Sequence, residues 1–414
     1  RFYSGSGIFR HVWLTCVDPV HIPLWGASIA TPSVEVTGFN AAAAATVQAT
    51  IMVKNTLTTR TDATVTVHIV KPDGSLGGSA TASASSIPPL ANSTVVTNIT
   101  LAGEVALWST DTPALHSANI SISSATSDDE LLIPFGVRQI SFNSSKGFVL
   151  NGVETKMYGG CVHHDNGPLG SMSIDRAEER RVEILKSHGY NAIRTSHNPV
   201  SPAFLDACDR LGMLVMNEAF DCWAEGKNPQ DYHLFFDDWW RRDLAALVLR
   251  DRNHPSVVMW SIGNEIPMRF TRSGGNLSGV MVEMVHSMNP GSGRAVTSAY
   301  PLIHEQDSTF LHNLDVAGYN YAGLNVYESD HKRLPNRTFV GTESFAEASS
   351  TMWSQVWAMP SVIGDFIWTA VDYLGDDYVG SVSGDVDYLS GRHPWPFHIS
   401  FCGDFDITLA PKPQ

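Results

Sequence analysis

The chain has 414 residues, is 43% hydrophobic, 10% aromatic and 17% charged, and carries a formal net charge of −15. That much apolar material excludes a mainly disordered chain, and the length exceeds the roughly 250–300 residues at which one core stops growing, so two domains are expected. The acidic balance argues against nucleic acid and anionic membranes as partners, and no apolar run reaches the roughly 18 residues of a membrane span.

The start, Arg1 to Gly5, has no signal-like pattern. Up to about residue 140 charges are sparse and Ala, Ser, Thr and Val dominate. Val47, Ala49, Ile51 and Val53 alternate with polar or small neighbours, as do Val65, Val67 and Ile69. A period of two predicts strands with one buried face. Further strands are predicted at 34–37, 94–101, 117–123 and 131–138. Pro72-Asp-Gly74, Gly77-Gly78 and Pro88-Pro89 predict turns or loops, and Ala41 to Ala45 a loop or strand lead-in. Short strands at this spacing predict a β-sandwich. Sequons at Asn92, Asn98, Asn119, Asn143, Asn276 and Asn336 leave a secreted, glycosylated product open, and the compartment is not decided. The scattered Cys16, Cys161, Cys208, Cys222 and Cys402 form no CxxC, which argues against a zinc ribbon or thioredoxin-type site.

After residue 140 apolar strands alternate with helical stretches. Strands are predicted near 156–161, 191–195, 213–217, 256–262, 294–298, 315–319, 337–341 and 362–368, and helices over 175–188, 201–211, 235–252 and 276–289. The segment from Asp175 opens with early acids, as helices prefer. Eight β/α alternations predict a TIM barrel rather than an open doubly wound sheet, because no Gly-rich phosphate loop follows the first strand.

In such a barrel the chemistry lies at the C-terminal ends of the strands. Those ends carry His163, His164 and Asp165; Arg194, His197 and Asn198; Asn217 and Glu218; Asn264 and Glu265; Asn320 and Tyr321; Glu343; and Trp368. A lone Glu at a strand end is more often half of a structural ion pair. Two of them, Glu265 after strand 4 and Glu343 in strand 7, in such polar company point instead to paired carboxylates. Retaining glycosidases need two carboxyl groups about 5–5.5 Å apart, one acid/base and one nucleophile. Asn264 is placed to bond a sugar 2-hydroxyl, Tyr321 to orient the nucleophile, and Trp368 to stack on a sugar ring or simply pack in the core. A zinc site on His163, His164, Asp165 and His197 is the competing reading. Adjacent strand residues face opposite ways, so only one of the two neighbouring histidines can reach the mouth. Those histidines instead suit substrate hydroxyls or bracing of the carboxylates. A Ser-His-Asp site lacks its G-x-S-x-G elbow.

The run Arg250-Asp-Arg-Asn-His-Pro-Ser-Val-Val-Met-Trp-Ser-Ile-Gly-Asn-Glu265 resembles the acid/base signature of glycoside hydrolase family 2. Asn191-Ala-Ile-Arg-Thr-Ser-His-Asn-Pro199, the segment Asp206 to Glu218, Val340-Gly-Thr-Glu-Ser344 and Phe366-Ile-Trp-Thr-Ala-Val-Asp-Tyr-Leu-Gly375 are similar to its barrel strands, and Gly403 to Thr408 to the barrel's end. Arg1 to Leu14 resembles the last strand of the family's N-terminal jelly roll. The resemblance implies that strand plus a linker at 1–26, an immunoglobulin-like sandwich at 27–138, and a TIM-barrel catalytic domain at 139–414 without its last helix. It implies Glu265 as acid/base, Glu343 as nucleophile, and His163, Arg194, His197, Asn264, Tyr321 and Trp368 as substrate-binding. It implies a retaining exo-β-glycosidase acting on a carbohydrate. Tyr158-Gly-Gly-Cys-Val-His-His-Asp165 and Gly318-Tyr-Asn-Tyr321 look most like the β-galactosidases. A β-glucuronidase, another family member or an inactive truncated remnant are the alternatives. No metal or cofactor is implied, since Ala219-Phe-Asp-Cys-Trp223 does not match the magnesium ligands of some galactosidases. A homo-oligomer is left open. Without a covering helix, the last strand is expected to expose apolar surface around Phe366 and Ile367.

Overall fold

The computed structural model describes residues 7–301, 309–323, 325–374, 399–400 and 402–413. Two antiparallel four-stranded sheets come first. In one, Ala41–Asn55 lies between Asn92–Ala106 on one side and Ala27–Gly38 with the short Val20–His21 on the other. The second sheet runs in the order Leu76–Ile87, Thr61–Val70, His116–Ser124, Asp128–Phe135. The alternation puts Val47, Ala49, Ile51, Val53, Val67 and Ile69 in the sandwich core, each at 0% exposure.

Two local readings are decided here. Of the two alternatives for Ala41 to Ala45 the strand lead-in holds: the segment starts a 15-residue strand. Gly77-Gly78 is not a turn but lies inside Leu76–Ile87. A Cβ on Gly78 would sit 2.7 Å from Ile99 Cγ2, so the glycine permits close packing and not a chain reversal. Residues 1–6, the start of the strand expected within 1–26, lie outside the described residues, and residues 7–19 hold no strand. This segment instead lies along the barrel, with Ser173 N donating to Phe9 O at 2.9 Å and Arg10 Nη2 to Pro199 O at 2.8 Å.

The second part is a closed barrel of eight parallel strands: β1 Met157–Val162, β2 Ala192–Thr195, β3 Leu214–Glu218, β4 Val257–Asn264, β5 Ala295–Pro301, β6 Val316–Asn320, β7 Thr338–Phe345 and β8 Val362–Trp368. β8 returns to β1 in the register Gly159↔Phe366. Around them lie α1 Asp175–Ser187, α2 Pro202–Leu211, α3 His233–Asp251, α4 Arg272–Met288, α5 Thr309–His312, α6 Val326–Arg333 and α7 Ser349–Ala358. The caps are local. Ser201 accepts from Phe204 N at the start of α2, and Gly212 closes it in the left-handed conformation at φ 69°. Asp175 and Glu178 in the first turn of α1 and Lys186 in its last oppose the helix dipole.

After β8 the described residues hold no helix. A strand pair, Tyr373–Leu374 with Ile399–Ser400, is followed by residues 402–413, which bond back to the segment just after β8 through Asp372 N to Phe405 O and Phe405 N to Ala370 O. Of the two residues expected to be bare, Phe366 is 0% exposed, whereas Ile367 is partly exposed. The Phe366 ring occupies space left by Gly159, where a Cβ would meet it at 2.2 Å. Exposed aromatics nearby include Phe345, Tyr158 and Trp357, and Tyr158 stacks on Trp353 at 4.4 Å.

Candidate active site

Both carboxylates lie at the same end of the barrel, where the backbone departs from ladder geometry. Glu265 follows β4 directly with φ 44°, and Tyr321 follows β6 with φ 54°. Left-handed backbone at a non-glycine residue costs on the order of 1–3 kcal/mol. Both turns are held by main-chain bonds, Glu265 N to Ala299 O at 2.8 Å and Tyr321 N to Glu343 O at 2.6 Å. Glu343 sits in an irregularity on both sides: the β7 pairing shifts between Gly341 and Ser344 against β8, and again against β6. A bulge re-aims a side chain that regular pairing would fix. Ser344 Oγ donates to the buried Asp365 Oδ2 at 2.5 Å across this bulge.

Arg194, fully buried, is the hub. Its Nη1 donates to Glu343 Oε1 at 2.8 Å, and its Nη2 to Asn264 Oδ1 at 3.0 Å. Its Nε and Nη2 donate to Glu218 at 2.8–3.0 Å. Asn320 Nδ2 donates to Glu265 Oε1 at 2.9 Å and to Asn264 Oδ1 at 3.3 Å. Glu343, Arg194, Asn264, Asn320 and Glu265 thus form one continuous hydrogen-bonded chain. The Tyr321 hydroxyl is hydrogen-bonded to Glu343. His197 donates from Nδ1 to Glu218 Oε1 at 2.7 Å and stacks on Trp368 at 5.0 Å. His163 is stacked on Tyr373 at 3.9 Å and makes edge contacts with Trp368 and His197.

Burial pushes the Glu343 carboxyl above its usual range, and Glu265 adds to the rise, while Arg194 and His197 pull against it. Glu218 comes out the other way: burial opposes its charge, yet Arg194, His197 and Ser261 hold it below the ordinary value. Burial first, then the nearby His197, His164 and Arg194, hold the His163 imidazole well below its ordinary value. Burial, then the charge of Glu343 and the bond to it, raise Tyr321 well above an ordinary phenol.

All eight expected site residues gather at this mouth. The sequence reading passed over Glu218 and Asn320 as site members, although both stood among the strand ends. Each is defined by its partner, Arg194 for one and Glu265 for the other, and that pairing has no sequence signal. A cavity of about 450 Å³ meets this site at His197; the rest of its wall includes His164, Asp221, Phe220, Phe9 and Arg10, and neither catalytic carboxylate lines it.

Residues 143–297 match the family model described as "Glycosyl hydrolases family 2, TIM barrel domain", and residues 27–138 match the one described as "Glycosyl hydrolases family 2". The chain is 34% identical to the β-galactosidase BoGH2A of Bacteroides ovatus, over 100% of this chain and 55% of that protein. It is 28% identical to a putative β-glucuronidase of Formosa agariphila, over 73% of this chain and 32% of that protein. The crystal structure of a glycosyl hydrolase family 2 member from Bacteroides cellulosilyticus superposes with a TM-score of 0.91 at 38% identity, covering 99% of this chain and 51% of that one. The chain therefore spans about half the length of BoGH2A and of the B. cellulosilyticus protein.

Proposed function

We propose that this chain, which belongs to glycoside hydrolase family 2, carries the catalytic site of a retaining exo-β-glycosidase acting on terminal non-reducing β-D-galactosides. The observation that carries the reading is the pair of carboxylates at the ends of β4 and β7, tied through Arg194, Asn264 and Asn320. In the first step the Glu343 carboxylate attacks the anomeric carbon, while Glu265 gives its proton to the leaving oxygen. In the second, Glu265 takes a proton from water, and that water displaces Glu343 from the sugar with net retention. Arg194 and Tyr321 supply fixed donors to the Glu343 carboxylate, so its charge is organised before substrate arrives. Asn264 faces the 2-hydroxyl, a contact that strengthens in the transition state. His163, His197 and Trp368 form the wall that orients the ring. Because burial raises the Glu343 carboxyl, activity falls on the acid side where that group takes up a proton.

The galactoside assignment rests on the segments Tyr158–Asp165 and Gly318–Tyr321 and on the likeness to BoGH2A. The glucuronide reading is favoured by the likeness to the Formosa agariphila protein. It lacks support after Glu343, where no Asn-x-Lys pair for a uronate carboxylate follows. A panel of nitrophenyl β-glycosides separates the two. The expected result is release from the galactoside and not from the glucuronide. Glu343→Gly abolishes release, and Glu265→Ala retains the first step on a good leaving group and yields a β-glycosyl azide with azide. An α-azide, or full activity of Glu343→Gly, refutes the assignment of roles. A wild-type chain that folds but hydrolyses nothing in the panel supports the remnant reading.

A further inference from the structure

At the seam between sandwich and barrel two arginines meet without a carboxylate. Arg138 lies just after the strand Asp128–Phe135 and is 7% exposed. Arg294 leads into β5. Arg138 Nη2 donates to Val257 O at 2.8 Å, and Arg294 Nε donates to the same oxygen at 2.7 Å. Two guanidinium groups therefore share one carbonyl. The other bonds of Arg294 go to His254 O at 2.8 Å and to Asn289 Oδ1 at 3.3 Å, both neutral. The carboxylate that most influences both is Asp209, and it is already engaged: Oδ2 with His254 Nδ1 at 2.6 Å, Oδ1 with Ser256 N at 3.0 Å.

A guanidinium does not shed its proton in a protein, so it cannot escape burial by becoming neutral. Buried charges are stable when paired, and one carbonyl dipole does not neutralise two cations. Both arginines line a cavity of about 30 Å³ together with Thr31, Asn253, Gly291 and Ser292. Asn253 is spent on the main chain of Ala27 and Ile29, and the Thr31 hydroxyl on Arg138 O. The Ser292 hydroxyl accepts from Arg294 N at 3.3 Å, which leaves its proton to donate. The cavity therefore offers two cations and one hydroxyl donor. That space has room for about two water-sized particles, which favours a small monatomic anion over sulfate or phosphate.

We propose that Arg138, Arg294 and Ser292 form a binding site for a single monatomic halide, chloride being the natural occupant, which staples the sandwich to the barrel. The site is independent of the catalytic reading and contains none of its residues. Binding to the folded chain alone raises the folded-to-unfolded ratio by a factor of about eleven at ten times the dissociation constant. The test is urea unfolding of the whole chain at fixed pH and ionic strength, with sodium gluconate replaced stepwise by sodium chloride or bromide. The expected result is a midpoint that rises and saturates, and Arg138→Met loses that dependence. If that variant does not fold, Arg294→Gln is measured in its place. Bromide-exchanged crystals are expected to show anomalous density between the two guanidinium groups. A wild-type midpoint that is the same in gluconate and chloride overturns the proposal. So does a rise that never saturates, or an equal, saturable effect of sulfate.

Discussion

Arg194→Met is the most informative perturbation of the mouth. The side chain is 0% exposed and serves two carboxylates, Glu218 at 0% and Glu343 at 4% exposure. It donates to Glu218 at 2.8, 2.9 and 3.0 Å and to Glu343 at 2.8 Å. Methionine fills much of the volume but leaves both acids in the barrel with no cation between them. Removing one partner of a buried pair costs about 3–5 kcal/mol, a large share of a typical 5–15 kcal/mol stability. The sign with pH follows from Glu218. Its carboxyl is held below the ordinary value despite burial, chiefly by Arg194. That stability is present above the unfolded value near 4.5 and is lost as pH falls through the folded one. The wild type is therefore expected to exceed the variant most at neutral pH, with the gap narrowing in acid. Urea unfolding at pH 7 and at about pH 3, below the unfolded value of 4.5, measures it. Adding Glu218→Gln removes the orphaned charge, so the double variant is expected to regain roughly 1–3 kcal/mol over additivity. In activity, Glu343 loses its strongest downward pull, so the acid limb of kcat/KM moves to higher pH. Additive single effects, or a gap that does not change with pH, refute the reasoning.

Three further outcomes are expected. His116 is 2% exposed with no partner on either ring nitrogen, and burial holds its pKa down to about 4. The unfolded chain takes up that proton near pH 6.5, so about 3 kcal/mol of stability is lost between pH 6.5 and 4; His116→Leu flattens this slope, and equal slopes would refute it. Burial pushes Asp365 up to about 7, so its contribution is complete below 3.8 and is lost as pH rises through 7. Asp365→Asn keeps an acceptor for Ser344 and is expected to stabilise the chain by up to about 4 kcal/mol at pH 8 but not at pH 4, which two denaturation curves decide. Tyr321→Phe removes a charge-assisted bond to Glu343 and is expected to lower kcat/KM by about 10- to 100-fold on a nitrophenyl β-galactoside, and an unchanged value would remove Tyr321 from the machinery.

Much of this protein was legible in its residues. The alternation at Val47–Val53 and Val65–Ile69 marked the sandwich core, and eight apolar segments ending in polar residues marked the barrel and its working end. These signals are local, because side chains repeat every two residues along a strand and caps act within one turn. Motifs such as Arg250–Glu265 carried the family because the chemistry demands particular residues in a fixed local order. Only the tertiary structure decided who meets whom. Closure of β8 on β1 brings Arg194 to Glu343, 149 positions away in the chain, and gives Glu218 a role that its place at a strand end could not define. The same holds for Gly78, a turn signal that serves as a packing surface for Ile99, and for Gly159, whose missing side chain admits the Phe366 ring. Arg138 and Arg294 are unremarkable until one carbonyl, Val257 O, receives both. Burial and partnership are properties of the closed assembly. A residue's charge state, strain and reach follow from neighbours set by long-range packing, and the order of residues along the chain does not encode them one at a time.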